Sequence, residues 1–334
     1  MVAQKSIERV SNGMKSNIKS NIKSNILKSQ LTTILIVLAV LVSFFSIRSE
    51  GFFTVKNFYN IFQQIAVIGI ITVAQTFVII TAGIDLSQGA VIGLTTVVTA
   101  MCMVDFGLAI PMAIVLGLLV GVIIGALNGL LIAYLGLPAF IATLGSMSVT
   151  EAIALLVKGG KDIYNLPQGI SEFARQGIGN LIPNIAIIMI IIAVVMHILL
   201  KQTCFGRYVY AAGSNEQSAR FSGVKTKAVL FRTYLLAGFL CGIAGIIMMS
   251  RMSGGVAIAG KGYQMNSISA VVIGGGSLFG GEGSVSGAMV GAFIMTILAN
   301  GLQIMGVSSY WQQLITGIVL VGAVLMDTMR RKKG

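Results

Sequence analysis

The chain contains about ten hydrophobic stretches, each long enough to cross a lipid bilayer, and short polar breaks separate them. Hydrophobic residues make up 56% of its 334 residues and charged residues only 10%, whereas soluble domains carry about 25% charged residues. A soluble fold of this length would lack the polar surface needed to cover its core. The sequence therefore predicts an all-α, polytopic membrane protein whose function lies in its few polar breaks.

Ten transmembrane helices are predicted, and the distribution of Lys and Arg orients them. Their approximate bounds are 31–47, 61–82, 87–104, 108–134, 138–157, 184–201, 227–250, 267–281, 284–305 and 308–326. If the N-terminus is inside, the cytoplasmic segments 1–30, 201–232 and 330–333 hold six, six and four of the 23 Lys and Arg residues. Cytoplasmic loops carry such an excess, so both termini are predicted to be cytoplasmic.

The predicted organisation is one transmembrane domain between two basic tails. Residues 1–30 form a cytoplasmic tail, predicted to be disordered, in which Lys-Ser-Asn-Ile occurs three times between Lys15 and Ile26. The transmembrane domain covers 31–328, and 329–334 is a second basic tail. The net charge of +13 comes from the ends of spans and not from a basic face bearing aromatic residues, so no nucleic acid partner is predicted.

Glycines recur every four residues in three of the predicted spans. Such stripes allow helix backbones to approach closely in a membrane, where lipid gives no hydrophobic drive for helices to associate. We therefore predict close helix packing along them. The stripes are Gly117, Gly121, Gly125 and Gly129; Gly238 and Gly242; and Gly283, Gly287 and Gly291.

The first polar break, 81–87, carries a carboxylate at Asp85. A charge at the centre of a span costs about 2.5–3.5 kcal/mol on insertion scales. Asp85 or Ser87 could cap the backbone N–H groups of the next helix; alternatively, Asp85 contacts a solute or gates a path. In a later span that Pro138 opens, Glu151 is predicted to be hydrogen-bonded or to face a cavity.

No catalytic, metal or cofactor site is predicted. The three cysteines show no paired spacing, and the single histidine, His197, lies near the end of a span. Gly255 to Gly262 resembles a phosphate-binding loop, but glycine stands where Ser or Thr should hold magnesium. The glycine-rich segment 274–283 admits tight turns or close helix contacts and does not have the spacing of a nucleotide fingerprint.

The polar segment at about 203–226 is the longest on the inner side between spans. Its part from Asn215 to Arg220 has helix-forming composition, with Ser214 or Asn215 as the cap and Gly223 as the stop. We predict a short helix held on the cytoplasmic face, which would serve as a docking element. An ordinary solvated loop is the alternative.

At these residues the chain resembles the membrane-spanning permease subunits of bacterial ABC importers, in the ribose/simple-sugar branch, which is related to branched-chain amino-acid permeases. The resemblance covers about 50–328. The residues that carry it are Gly83-Ile84-Asp85-Leu86-Ser87, Gly125-Ala-Leu-Asn-Gly-Leu-Leu-Ile132, Leu137-Pro-Ala-Phe-Ile-Ala-Thr-Leu-Gly145, Gly206-Arg207, Ala212-Gly213-Ser-Asn215 and Ile273-Gly-Gly-Gly-Ser-Leu-Phe-Gly-Gly281.

The resemblance implies that 203–226 is a coupling loop that seats in a groove of an ATPase subunit. Such loops carry an Ala–x3–Gly core, and Ala219 and Gly223 match it. The loop departs from the general pattern, because Ser218 replaces the first Ala and the Glu is displaced by one residue. The coupling residues implied are Gly213, Asn215, Glu216, Ala219, Arg220 and Gly223, and the candidate path or gating residues are Asp85, Ser87, Asn128 and Glu151.

The resemblance further implies the partners and the reaction. A cytoplasmic ATP-binding-cassette ATPase, a second permease copy and an external solute-binding protein would move a monosaccharide, most simply a ribose-like one, across the bacterial plasma (inner) membrane. This chain would not be an enzyme, because the partner subunit would hydrolyse ATP. Branched-chain amino acids or a furanosyl signalling molecule are alternative solutes. An ion-coupled secondary transporter is the alternative mechanism, and it would place ionisable residues near the middle of the membrane.

Overall fold

The structure is a computed structural model of the chain, and it describes residues 30–179 and 181–331. The predicted tail at 1–30, apart from Gln30, lies outside the described residues, and so do 332–334. Helices account for nearly all the regular structure. The described residues form α1 (Gln30–Arg48), α2 (Val55–Ile80), α3 (Gln88–Val104), α4 (Ile110–Ala133), α5 (Ala139–Leu156), α6 (Gln168–Arg175), β1 (Gly177–Ile178), β2 (Ile182–Pro183), α7 (Asn184–Gln202), α8 (Cys204–Ser214), α9 (Glu216–Phe221), α10 (Thr226–Met252), α11 (Tyr263–Ile273), α12 (Val285–Ile304) and α13 (Ser309–Arg331).

Eight of the described helices are long and apolar enough to cross a membrane: α1, α2, α4, α5, α7, α10, α12 and α13. Helix α3 is apolar but has only 17 residues. Helix α11 has 11 residues, which gives a length of about 16 Å against a hydrocarbon thickness of about 30 Å. The chain is thus a helical, multi-pass membrane protein whose described residues include eight full-length candidate spans, the shorter apolar helix α3 and the short helix α11.

The predicted span 267–281 is wrong in its bounds. Helix α11 ends at Ile273, and the chain continues in a series of turns. Glycines with positive φ allow these turns, with φ of 91° at Gly275 and 84° at Gly280. The backbone N–H of Ser277 donates to the carbonyl of Glu282 at 3.1 Å and closes the turn. We call residues 274–283 the glycine turn.

Eight of the described helices form two sets of four, which we call halves, and the helices of each half pack in the same order. Helices α2 to α5 form one half and α10 to α13 the other. Helix α3 packs against α4, α5 and α10, and α11 correspondingly packs against α12, α13 and α2. Helices α4 and α12 occupy matching places, against α10 and α2. This arrangement is the internal repeat common in transporters, and it makes α3 and α11 equivalent.

The glycine stripes lie at the closest helix contacts, as predicted. A Cβ on Gly121 would collide with the carbonyl of Gly238, and a Cβ on Gly125 would collide with the carbonyl of Tyr234, so α4 and α10 touch backbone to backbone. In the other half, Gly287 and Gly291 of α12 lie against backbone carbonyls of Gly274 and of α11. These contacts hold α4 against α10, and they hold α12 against α11 and the start of the glycine turn.

Candidate functional site

Residues 203–226, which we call the coupling segment after their expected role, form two consecutive short helices, each capped by its own sequence. Thr203 precedes α8, and its side chain accepts from the N–H of Gly206 at 3.3 Å. Asn215 precedes α9, and its Oδ1 accepts from the N–H of Ser218 at 2.8 Å. Both are N-cap geometries, which satisfy N–H groups that a helix end leaves free. The predicted helix after Asn215 is present with the predicted cap.

Helix α9 ends in a Schellman motif at Gly223. The N–H of Gly223 donates to the carbonyl of Arg220 and that of Val224 to the carbonyl of Ala219, both at 3.0 Å. Gly223 has φ of 84°, in the left-handed region that glycine adopts without strain. The predicted stop at Gly223 is therefore correct, and its structural basis is this backbone conformation.

The coupling residues implied by the resemblance divide into an outer and an inner set. Asn215, Glu216, Arg220 and Gly223 are exposed, whereas Ala219 is buried on the inner side of α9. Phe221 is 82% exposed at the end of the same helix. Sequence reasoning missed Phe221, although an aromatic residue in an otherwise polar segment could have indicated an apolar anchor for a partner.

Helix α8 packs directly onto the end of α2, where the first polar break (81–87) begins, and onto the glycine turn. We call these two segments the polar breaks. Gly213 lies so close to the carbonyl of Ile80 and to the N–H of Gly281 that no side chain fits there. The N–H of Gly281 itself donates to the Ile80 carbonyl at 2.8 Å. Tyr210 donates its hydroxyl to the carbonyl of Gly283 at 2.7 Å. Gly213 thus faces the protein interior, and the coupling segment touches the end of α2 and the glycine turn together.

Three of the four candidate path residues form one buried chain of hydrogen bonds. Asp85 accepts at Oδ1 from the N–H of Ser87 at 2.8 Å and from its hydroxyl at 2.6 Å. Asn128 of α4 donates from Nδ2 to the hydroxyl oxygen of Ser87 at 3.0 Å. All three are at most 3% exposed. Asp85 therefore accepts a hydrogen bond from the backbone N–H of Ser87, the residue just before α3. The Ser87 side chain itself makes no capping hydrogen bond to α3.

Helix α5 also holds the first break, but Glu151 takes no part. Thr143 donates its hydroxyl to the carbonyl of Ile84 at 3.0 Å. Glu151 is half-buried about two turns further along α5, and among the described residues no hydrogen bond or ion pair to its carboxylate occurs. The sequence predicts a hydrogen bond for Glu151 or a position facing a cavity; that hydrogen bond is not present among the described residues, and the role of Glu151 in the path stays a prediction.

Tyr234 of α10 is the polar residue in this region that the sequence did not indicate. It is fully buried, and its hydroxyl lies where a Cβ on Gly83 would be. Glycine is thus required at 83 because a tyrosine from the other half fills the space beside the break. Nothing in the spacing of α10 residues distinguishes Tyr234 from ordinary apolar packing.

Comparison with known proteins settles the family. The model of the family described as branched-chain amino acid transport system / permease component matches residues 57–324. The chain belongs to that permease family. The matched range begins near the start of α2 and ends within α13, so it includes both halves, both polar breaks and the coupling segment.

The permease is also similar to curated proteins over most of its length. It is 38% identical to the ribose import permease protein RbsC of Escherichia coli (strain K12) over 300 residues, which cover 89% of this chain and 93% of the relative. It is 41% identical to RbsC of Bacillus subtilis (strain 168), covering 89% and 91%. It is 36% identical to the fructose import permease protein FrcC of Rhizobium meliloti, covering 89% and 85%. No solved structure matches the permease.

Proposed function

We propose that this chain is the membrane-spanning permease subunit of an ATP-driven importer for a monosaccharide, most simply a ribose-like one. The observation that carries the proposal is near-full-length similarity to import permeases named for ribose and fructose. The resemblance read from the sequence motifs leads to the same family. The chain itself serves transport, and ATP hydrolysis belongs to a separate cytoplasmic subunit.

The proposed ATPase docks on the exposed face of α9. Glu216, Arg220 and the 82% exposed Phe221 offer that face charge, hydrogen-bonding groups and an apolar anchor. Motion of α9 would pass to α8 through Asn215, and from α8 to Ile80 and Gly281. Ile80 ends α2, and Gly281 belongs to the glycine turn. One docking event would therefore move both polar breaks, and this motion would open the path to alternate sides of the membrane.

The proposed topology has ten spans with both termini in the cytoplasm of a bacterium and the chain in its plasma (inner) membrane. Helix α3 would count as one crossing, and α11 together with the turns that precede it would count as another. A second copy of the permease would complete the path, and an external solute-binding protein would deliver the sugar. Positive residues concentrated in 201–232 support the inner placement of the coupling segment.

A test of the partner is affinity purification of the chain from its native membrane in mild detergent, with mass spectrometry of what is recovered. An ATPase subunit in stoichiometric amount, lost in the Gly223→Trp variant, is the expected result. Recovery of the chain alone, from membranes in which uptake is active, would favour a secondary transporter instead.

A test of the solute is uptake of labelled ribose by cells with and without this subunit. We expect deletion to abolish ATP-dependent uptake of ribose. Leucine uptake in the same cells tests the second candidate solute, which the description of the family favours. Ribose uptake that survives deletion, with loss of leucine uptake, would assign the permease to amino acids.

A further inference from the structure

The two equivalent short helices, α3 and α11, begin next to each other inside the protein. Gly89, in the first turn of α3, and Gly260, just before α11, touch backbone to backbone, and neither has room for a side chain. Gln88 is the first residue of α3, and Gln264 is the second residue of α11. Each glutamine side chain contacts the other helix. The Oε1 of Gln264 lies against Gly89 of α3, and the Oε1 of Gln88 accepts from the hydroxyl of Ser267 of α11 at 3.0 Å.

The two glutamine amides keep one donor and one acceptor unused. Gln88 is fully buried and Gln264 is 9% exposed. The Nε2 of Gln88 and the Oε1 of Gln264 have no hydrogen-bond partner among the described residues. A buried amide group without a partner is costly, and the N-terminus of α3 adds N–H groups nearby. Three N–H groups at the start of α11 already donate to the carbonyls of Gly260 and Gly262. The place therefore suits an occupant that both accepts and donates hydrogen bonds.

The glutamine pair lies just behind the partly exposed helix α5. The Nε2 of Gln264 is 3.9 Å from the sulfur of Met147, a weak acceptor. Met147 is half-buried, whereas its neighbours Leu144 and Ser148 are exposed. One turn beyond Met147, the buried hydroxyl of Thr150 also has no partner among the described residues. A flexible methionine thus stands between the amides and the outer face of α5.

We propose that Gln88 and Gln264 form a binding subsite for a hydroxyl group of the transported sugar, which reaches the amides when Met147 moves aside. A hydroxyl accepts from the Nε2 of Gln88 and donates to the Oε1 of Gln264, so it satisfies both free atoms. The subsite rests on the proposed function, because the hydroxyl is the sugar's. A resident water has the same chemistry and is the alternative source.

The neutrality of the subsite fits a sugar better than an amino acid. Its polar members are amides and hydroxyls, and they pair with the hydroxyls of an uncharged polyol without desolvating a charge. The helix N-termini would attract the carboxylate of a zwitterionic amino acid, but Gln88, Gln264 and Ser267 offer its ammonium group no charged partner. The neutral side chains of the subsite are thus matched to a sugar hydroxyl.

The test uses the whole importer in proteoliposomes, with its ATPase and solute-binding protein. Uptake of ribose and of each monodeoxyribose is measured for the natural complex and for the Gln264→Leu and Gln88→Leu variants. The ratio of deoxy-sugar to ribose uptake in each variant is divided by the same ratio in the natural complex, so the preference of the binding protein cancels. We expect this quotient to rise about five- to tenfold for one deoxy position, the usual effect of one hydrogen bond.

The matched control is Gln75→Leu, which removes another fully buried glutamine whose amide atoms have no partner among the described residues. It lies on α2 and should leave the quotient near one. Gln264→Asn serves if the leucine variant does not assemble, because it keeps the amide and shortens its reach.

The outcomes separate the two proposals. Quotients near one in every assembled variant would overturn the subsite and assign the amides to a structural water. Failure of the natural complex to take up ribose, fructose or any other monosaccharide would instead overturn the proposed function.

Discussion

Gly223 connects α9, the proposed docking helix, to the long helix α10 in a left-handed conformation with φ of 84°. Open space surrounds the position, since nothing lies within 4 Å of where a Cβ would be. A side chain there is therefore strained by the backbone and not by neighbouring atoms. A residue other than glycine pays about 1–2 kcal/mol in this region, and asparagine tolerates it better than others.

The Gly223→Trp variant should insert normally but abolish ATP-driven uptake, because it distorts the end of α9 and covers the docking face. Gly223→Asn is the matched control, and it should keep most of the uptake. Uptake of the labelled sugar, with membrane insertion checked by immunoblot, measures both. Normal uptake by the tryptophan variant would show that the ATPase docks elsewhere.

Asp85 has a structural role that can be separated from a role in the path. Asp85→Ala removes the acceptor of two hydrogen bonds from Ser87 and should lower the free energy of unfolding by roughly 1–3 kcal/mol. Asp85→Asn keeps an acceptor oxygen and should lose less. Thermal unfolding in detergent gives both values. If the asparagine variant is stable but transports nothing, the charge of Asp85 acts in the path.

The contact between α4 and α10 depends on backbone approaching backbone, and a side chain added there must separate the two helices. Gly125→Val should destabilise the protein by about 1–3 kcal/mol or more through overpacking. Gly145→Val places the same side chain in the interior of α5, where the position is open, and serves as the control. Comparison of their unfolding midpoints tests the contact, and equal midpoints would contradict it.

At the level of elements, the apolar runs predicted where most long helices lie. The apolar runs mispredicted a helix boundary where a polar residue inside the helix is buried against a partner distant in sequence. Helix α2 begins at Val55, six residues before the predicted start, because Thr54 caps it by accepting from the N–H of Asn57 at 3.3 Å. The polar Asn57 is buried in the helix because it pairs with Asn300 at 3.0 Å. The extent of α11 was missed because hydropathy does not register the positive φ of glycines after Ile273.

The candidate site was predictable where short-range rules apply. The Asn215 cap and the Gly223 stop follow from local chemistry, and both are present. The hydrogen bond between Ser87 and Asn128 depends on how α4 packs, and the close approach of Gly213 to Ile80 depends on contacts between parts of the chain far apart in sequence. Local sequence rules predict neither. Three of the four candidate path residues, Asp85, Ser87 and Asn128, share one chain of hydrogen bonds. The fourth, Glu151, makes no hydrogen bond among the described residues, and its role in the path stays a prediction.

At the scale of the whole molecule, the proposed orientation can be tested with a cysteine already present. Cys204 is exposed in the coupling segment, whereas Cys102 and Cys241 are buried. A membrane-impermeant maleimide should therefore label Cys204 in inside-out vesicles of the permease alone and not in right-side-out vesicles. Cys204→Ser is the control that should remove the signal. Labelling from the outside would invert the proposed topology.

The outer face is tested by a cysteine at an exposed position between α5 and α6. Asp162 is exposed, so Asp162→Cys in the Cys204→Ser background should react in right-side-out vesicles. Reaction of both positions from the same side would mean that the number of crossings between them is even. The proposed count of ten spans requires an odd number.

The meeting of the α3 and α11 N-termini at Gly89 and Gly260 has an electrical consequence. The positive ends of two helix dipoles point at one spot, where Gln88 and Ser267 are fully buried. Protons and sodium ions would meet a barrier there, whereas a neutral solute would not. A permease built this way can open for its cargo without discharging the ion gradients on which the cell's energy depends.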